Sequence, residues 1–411
     1  MPRRLVTRIA LALGALSACL AGPALAAPVG NMLSNPGFET TLSDHSWMAA
    51  GWDTSASNLP TVFFGRDTTI AHSGSYSVNV ANVSTMAPLW HNWSQSLVVG
   101  PEMWNKDVVF SVWTRSNGVQ GRGYVLLQAY RDTVGKMTRL WQVRRDTALA
   151  RMGLATTTDP YVYLGSRREY FSDVETGWVR REVRVFIPPS VNLIIVRCGL
   201  FGTGQVCFDD ASLTAETALP PPQLPVGVNL LADPGFEGSG DQWEYSLPPY
   251  EGMQCDRDTT EAHSGKASIR FMGGLSGMVT TRAGVAQVIS NRGLAGKRLR
   301  LSAWVKCDSL KGFAYLKIYC TKIEGDDHVG APRQIGETEP WTKLEMEMDV
   351  PQGTFQVWAW LVYNAPVDGR VYFDDASFEI IGPAVGASPA ANPAATPGGA
   401  RKSATKGRAK P

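Results

Sequence analysis

The chain repeats itself, and the repeat limits what it can fold into. "RDTTIAHSGSYSVNV" begins at Arg66 and "RDTTEAHSGKASIRF" at Arg257, with nine of the first twelve positions identical. "FSVWTRS" at Phe110 and "LSAWVKC" at Leu301 stand at the same offset of 191 residues, as do "GYVLLQAY" at Gly123 and "AYLKIYCT" at Ala314. "NMLSNPGFE" at Asn31 returns as "NLLADPGFE" at Asn229, and "CFDDASL" at Cys207 as "YFDDASF" at Tyr372. Self-similarity in a fixed order marks two copies of one unit. Their expected bounds are 28–215 and 227–381, each long enough to bury its own core. The proline-rich stretch 216–226 joins them as a stiff linker. Copy one carries a long insertion between Tyr130 and Trp178 that includes "ATTTDPYVYLGSRREYF".

Within each copy the apolar residues recur with period two. Val108, Phe110 and Val112 alternate with Val109, Ser111 and Trp113, and Leu299, Leu301, Ala303 and Val305 with Arg300, Ser302, Trp304 and Lys306. Glycine, proline and asparagine punctuate the runs, and amphipathic helical patterns are scarce. Many short strands of this kind predict an all-β chain of two tandem β-sandwich jelly rolls.

The two ends read differently. Arg3, Arg4 and Arg8 precede an apolar run from Ile9 to Leu20, and Ala24-Leu25-Ala26 is a small-residue cleavage site. This pattern predicts a secretory leader over 1–26. An alternative lies in Leu16-Ser17-Ala18-Cys19, a lipoprotein-like box with Cys19 as the acylated residue. No other apolar stretch is long enough to span a bilayer. The expected location is secreted, periplasmic or at the cell surface. The segment 382–411 is rich in alanine, proline and basic residues and predicts a disordered tail. Its cations, or a lipid on Cys19, could associate with the cell envelope. The formal net charge is +2, but Arg401, Lys402, Lys406, Arg408 and Lys410 of the tail and three leader arginines supply it. The body between is therefore acidic, which argues against nucleic acid as a partner. Five cysteines follow the leader at spacings foreign to a zinc site. Cys198 and Cys207 flank Gly202-Thr203-Gly204, a hairpin signal, and could pair across two strands. Cys255, Cys307 and Cys320 allow one further pair.

The acids at the two ends of each copy invite a metal. First and last strands of a sandwich tend to be neighbours. Glu39 is then expected near Asp209 and Asp210, and Glu237 near Asp374 and Asp375. Crowded carboxylates repel unless a cation joins them, and hard oxygen ligands select calcium. One structural calcium per copy is expected, with backbone carbonyls of the "HSG" loop completing its shell. The alternative is that these acids only accept backbone N–H bonds. His72 and His263 lie within the repeated loop without a nucleophile nearby, and read as structural hydrogen-bonding groups.

The ordered set "NxLxxPGFE", "AHSGxxS", "LSAWV" and "FDDAS" resembles the carbohydrate-binding modules attached to cellulases and xylanases, the families numbered four, nine and twenty-two. It covers nearly the whole chain after the leader. The resemblance implies a galactose-binding-like jelly roll, a calcium site that includes Glu39 with Asp209 and Glu237 with Asp374, and β-glycan ligands.

A sugar binder needs flat aromatics with polar groups between them. In copy two, Tyr315, Lys317 and Tyr319 alternate with core-like Ala314, Leu316, Ile318 and Cys320. In copy one, Tyr124, Gln128 and Tyr130 oppose Val125, Leu127 and Ala129. Trp113 with Arg115 and Trp304 with Lys306 are assigned to the same faces. Trp358 and Trp360 share one side of their strand. Trp52 and Trp243 read as core. Trp90, Trp93, Tyr161 and Tyr163 read as a loop rim. No compact acid pair for glycoside hydrolysis, no H-E-x-x-H, no G-x-S-x-G and no phosphate loop is present. The expectation is a non-catalytic exported protein whose partner is a polysaccharide or glycan. A structural or adhesive envelope protein is the alternative from another class, and a hydrolase or lyase on the same scaffold is a third.

Overall fold

The computed structural model describes residues 30–43, 45–55, 60–84, 90–132, 161–172, 177–238, 242–246, 254–273, 281–289, 292–323, 328–330, 333–365 and 369–385. The leader with Cys19, the basic residues of the tail and most of the copy-one insertion lie outside them. Among the described residues the chain is all-β, built as two jelly-roll sandwiches.

Module one holds β1 (Thr41–Leu42), β2 (His45–Ala49), β3 (Asp53–Thr54), β4 (Val62–Asp67), β5 (Ser77–Asn82), β6 (Trp90–Val98), β7 (Lys106–Asp132), β8 (Tyr161–Phe171), β9 (Val179–Ile187) and β10 (Leu193–Thr217). Module two holds β11 (Glu244–Ser246), β12 (Gln254–Asp258), β13 (Ser268–Met272), β14 (Thr281–Ile289), β15 (Lys297–Lys322), β16 (His328–Gly330), β17 (Gln334–Asp349), β18 (Thr354–Ala365) and β19 (Arg370–Pro383).

One long strand organises each module. The first half of β7 pairs β9 and the second half of β10, whereas its second half pairs β8 and the first half of β10. The strands bend where Gly118 and Gly121 on β7 lie beside Gly202 and Gly204 on β10, all four at positive φ. A Cβ at Gly121 would collide with the Phe201 carbonyl, and one at Gly202 with that of Gln120. Glycine is therefore required by both conformation and contact. The bend folds each long strand back over its own core. In β15, Leu299, Leu301, Ala303 and Val305 from one half join Ala314, Leu316, Ile318 and Cys320 from the other in a single cluster. The period-two sets expected to be core are core in both modules, as are Trp52 and Trp243. Each buried valine, leucine, isoleucine or phenylalanine among them contributes roughly 1.5–3 kcal/mol by leaving water.

Three expectations change here. Gly202–Gly204 is not a hairpin turn, because β10 runs through it without reversing. Cys198 and Cys207 therefore lie along one strand, and none of the five cysteines after the leader is in a disulfide. Trp90 and Trp93 lie in β6, and Tyr161 and Tyr163 in β8, rather than in loops. Trp93 is fully buried and gives its indole N–H to the Asn79 carbonyl at 2.9 Å.

The modules dock. Phe355 of module two packs into the core of module one. The Gln356 side chain accepts from the Ser166 N–H at 2.9 Å and donates to the Ser166 carbonyl at 2.5 Å. Thr321 donates to the Leu164 carbonyl and Arg131 to that of Ile323. Buried Asp107 faces Arg292 of module two at 3.5 Å and accepts the Leu219 N–H of the connecting stretch at 2.9 Å.

Burial pushes the thiols of Cys207 and Cys307 up to about 12 and raises that of Cys198. The thiolate is the reactive form. Cys198, Cys207, Cys307 and Cys320 should therefore resist a maleimide at pH 8 until the protein is denatured. Labelling of the native chain at these positions, read by peptide mass, would contradict the packing.

Candidate functional site

Two surfaces come from the sequence motifs, and the structure keeps them apart. The first is a clamp at which the opening and closing motifs meet. The Asn31 side chain donates to the Ala211 carbonyl at 2.9 Å and accepts the Leu213 N–H at 3.0 Å. Asn229 makes the same pair with Ala376 and Phe378, both at 2.9 Å. Arg66 binds the carbonyls of Phe38 and Glu39 at 2.9 and 2.8 Å, and Arg257 those of Phe236 and Glu237.

The acids converge on the repeated loop. Glu39 accepts the N–H groups of Ser75 and Tyr76, and Glu237 those of Lys266 and Ala267. Asp209 accepts the N–H of His72 at 2.7 Å and of Ser73 at 3.1 Å, as Asp374 does from His263 and Ser264. A bulge after Asp209 turns Asp210 to φ +46°, and Asp375 sits at +45°. Each then meets its histidine Nδ1 at 2.6 Å and accepts a serine hydroxyl at 2.8 Å. The His72 ring stacks on Trp113 at 3.9 Å and meets Trp178 edge-on, as His263 does with Trp304 at 3.8 Å and Trp341. The histidines thus have the structural role expected of them.

Burial raises the pKa of Asp209 and Asp374 above the ordinary carboxylate value, against the pull of the loop N–H groups. Asp67 and Asp258 go the other way. Burial raises them too, but hydrogen bonds from Thr69 and Ile70, and from Thr260 and Glu261, outweigh it.

The acids therefore come together on the repeated loop, which turns N–H groups toward them. Among the described residues no group of three or more His, Cys, Asp or Glu is placed to hold a metal. The donor set fits acids that accept hydrogen bonds.

The second surface is the outer face of the sheet formed by β6, β10, β7 and β8. Register aligns Trp90, Phe201 and Arg122, then Asn92, Gly199, Tyr124 and Tyr170, then Ser94, Arg197, Leu126 and Arg168, then Gln128 with Ser166. Arg197 joins three strands, donating to Gln128 at 2.8 Å and to Asn92 at 3.1 Å. Trp90 is 37% exposed, packs on Phe201 at 4.7 Å and meets Tyr124 edge-on at 5.0 Å. Tyr130 and Tyr163 meet edge-on at the other end of the face.

Of the residues expected to bind sugar, Gln128 and Tyr130 keep partly open positions. Tyr124 does not: at 1% exposure it is a floor beneath Trp90. Tyr315, at 5%, is likewise buried beside Phe313. Lys317 and Tyr319 remain half-buried, with the ammonium over the Tyr319 ring at 4.8 Å and the Trp360 ring at 5.4 Å. Trp358 stacks with Trp360 at 5.7 Å. Trp113 with Arg115, and Trp304 with Lys306, leave this face entirely. Trp113 is in register with Asp209 at the clamp, whereas Tyr124 is in register with Gly199, beyond the glycine bend. Lys306 is held by Glu261 at 2.6 Å. Period-two counting alone missed this, because the bend between the halves of β7 and β15 sends them to different layers. Asn92 and Arg197 were missed as well. Their signal was the alternation of Trp90, Asn92 and Ser94 with His91, Trp93 and Gln95, which marks β6 as a strand.

No family model and no curated protein matches the chain. Among solved structures it is similar to a tandem of two family-22 carbohydrate-binding modules from Paenibacillus barcinonensis, at 14% identity and TM-score 0.29, covering 87% of this chain and 100% of that one. It is similar to the module TmCBM61, solved with β-1,4-galactotriose, at 14% identity and TM-score 0.28, covering 38% and 99%. It is similar as well to a cyclase from Fischerella sp. TAU, at 17% identity and TM-score 0.32, covering 47% and 100%. Superpositions this loose carry no argument about a ligand.

Two measurements follow from the clamp. A Cβ at Gly265, which sits at φ +64°, would collide with the Glu237 carboxylate. Gly265→Ala should cost about 1–3 kcal/mol in denaturant unfolding of the full chain, and an unchanged midpoint would contradict the clamp. Asp67 and Asp258 have depressed folded pKa values, so their stabilisation is present above the unfolded value of about 3.9. It is lost as pH falls through the folded value. Asp67→Asn with Asp258→Asn should flatten the acid limb of the melting profile.

Proposed function

We propose that the chain is a non-catalytic glycan-binding protein whose ligand lies on the outer face of module one. The observation that carries this is Arg197. It links β6, β10 and β7 through buried Asn92 and half-open Gln128, on the face that also carries the exposed ring of Trp90. Such a row offers donors and acceptors to equatorial hydroxyls, and the indole offers a flat apolar surface to a ring's C–H face. In module two the matching face carries half-buried Trp360, Lys317 and Tyr319 with buried Trp358 behind them, a more aromatic surface suited to the same class of ligand.

The proposal includes export past the leader ending at Ala26, with release or with retention at the envelope through Cys19 or the basic tail. The clamp acids serve the fold as hydrogen-bond acceptors. Calcium, which the family resemblance implies, is the competing reading of those acids. Melting with and without EDTA separates the two: an unchanged melt supports hydrogen bonding alone, and a lowered one supports calcium.

Pull-downs on insoluble xylan and β-1,4-galactan test the binding. Retention should fall by roughly tenfold, or about 1.4 kcal/mol, in Arg197→Ala and in Trp90→Ala, with circular dichroism unchanged. Retention equal to the wild type would remove this face from the account. New reducing ends or unsaturated products in the supernatant would overturn the non-catalytic reading.

A further inference from the structure

We propose that module two walls off one end of this face, so that the chain binds the end of a glycan and not a stretch within it. This rests on the glycan-binding reading above. A ligand laid across the strands runs along Ser94, Arg197, Leu126 and Arg168, from β6 to β8. Among the described residues β8 pairs only β7, so it is the edge at which a long chain would leave. Groups of module two stand there at three successive rows.

At the central row Glu244 holds Arg168 at 3.0 Å, with side chains 13% and 16% exposed. One row on, Gln356 binds both backbone groups of Ser166. At the preceding row Arg122 lies over Tyr170 at 5.0 Å and over Tyr245 of module two at 4.4 Å. It also donates to the Trp243 carbonyl at 2.7 Å. The docking of Phe355 and the Asp107–Arg292 contact fix this wall in place. Opposite, β6 is flanked by the two-residue strand β3, where Asp53 is in register with Ser94. The ligand therefore enters across β3, and its terminal residue meets the Arg168–Glu244 pair. That pair offers N–H donors and carboxylate acceptors to the hydroxyls that only a chain end presents.

Arg168 and Glu244 also line a cleft of about 890 Å³ between the modules, together with Phe355, Arg292 and Gln287. Shortening Glu244 should open the central row of the wall toward that cleft. The full chain is tested by its binding capacity on insoluble xylan, and on β-1,4-galactan in parallel. Each polymer is used intact and after partial cleavage by an endo-acting hydrolase that is then washed away. Capacity per gram should rise by the same factor as the number of chain ends. In Glu244→Ala capacity should no longer follow end number, whatever its absolute level; capacity that still follows end number would overturn the role given to this wall. Capacity unchanged by cleavage in the wild type would overturn the end-binding inference and leave glycan binding intact. Absence of retention on both polymers would remove both.

Discussion

The fold depends on a clamp of backbone N–H groups around carboxylates. Each module must fasten its first segment to its last strand across more than a hundred residues of chain. It does so through Asn31 or Asn229, which ties the opening segment to the carbonyl and N–H of the closing strand. The loop carrying the repeated "AHSG" then packs its N–H groups against acids from both ends. A buried carboxylate without partners would be costly, and charge-assisted N–H bonds offset that cost. The residues that do this recur in both modules with the same distances and the same positive φ at Asp210 and Asp375. Substituting any of them strands a partner, which accounts for the close match of these motifs between the copies.

The outer sheet faces bear no such constraint, and they diverge. Arg197, Asn92 and Gln128 make a polar row in module one. At the corresponding register in module two, Trp358 stacks with Trp360, and Lys317 lies over the Trp360 ring. The two surfaces are built on one scaffold, yet one offers hydrogen bonds and the other mostly rings. The docking adds a further asymmetry. Module two covers the β8 edge of module one through Glu244 and Gln356, so the tandem is a single body and not two binders on a tether.

The repeat, the strand periodicity and the convergence of Glu39 with Asp209 and Asp210 were legible because each depends on local alternation or on the pairing of strand ends. What the acids bind was not. Sequence marks a carboxylate but not whether a neighbouring loop turns its N–H or its C=O toward it. The outer face was half legible. Gln128 and Tyr130 follow from the alternation in β7, but Tyr124 shares their phase and is roofed by Trp90, which comes from another strand, β6. Trp113 shares a strand with Tyr124, but the bend at Gly118 and Gly121 places it at the clamp under His72. The wall formed by Glu244 depends on how the modules dock, which no period within either copy encodes.

Hydrogen exchange of the full chain, with and without bound xylan or galactan, would separate scaffold from site. Slowed exchange is expected in 90–98, 122–131 and 193–201, with the clamp loops at 66–77 and 257–268 unchanged. Protection confined to the clamp loops would place the ligand on the scaffold and contradict the outer-face site.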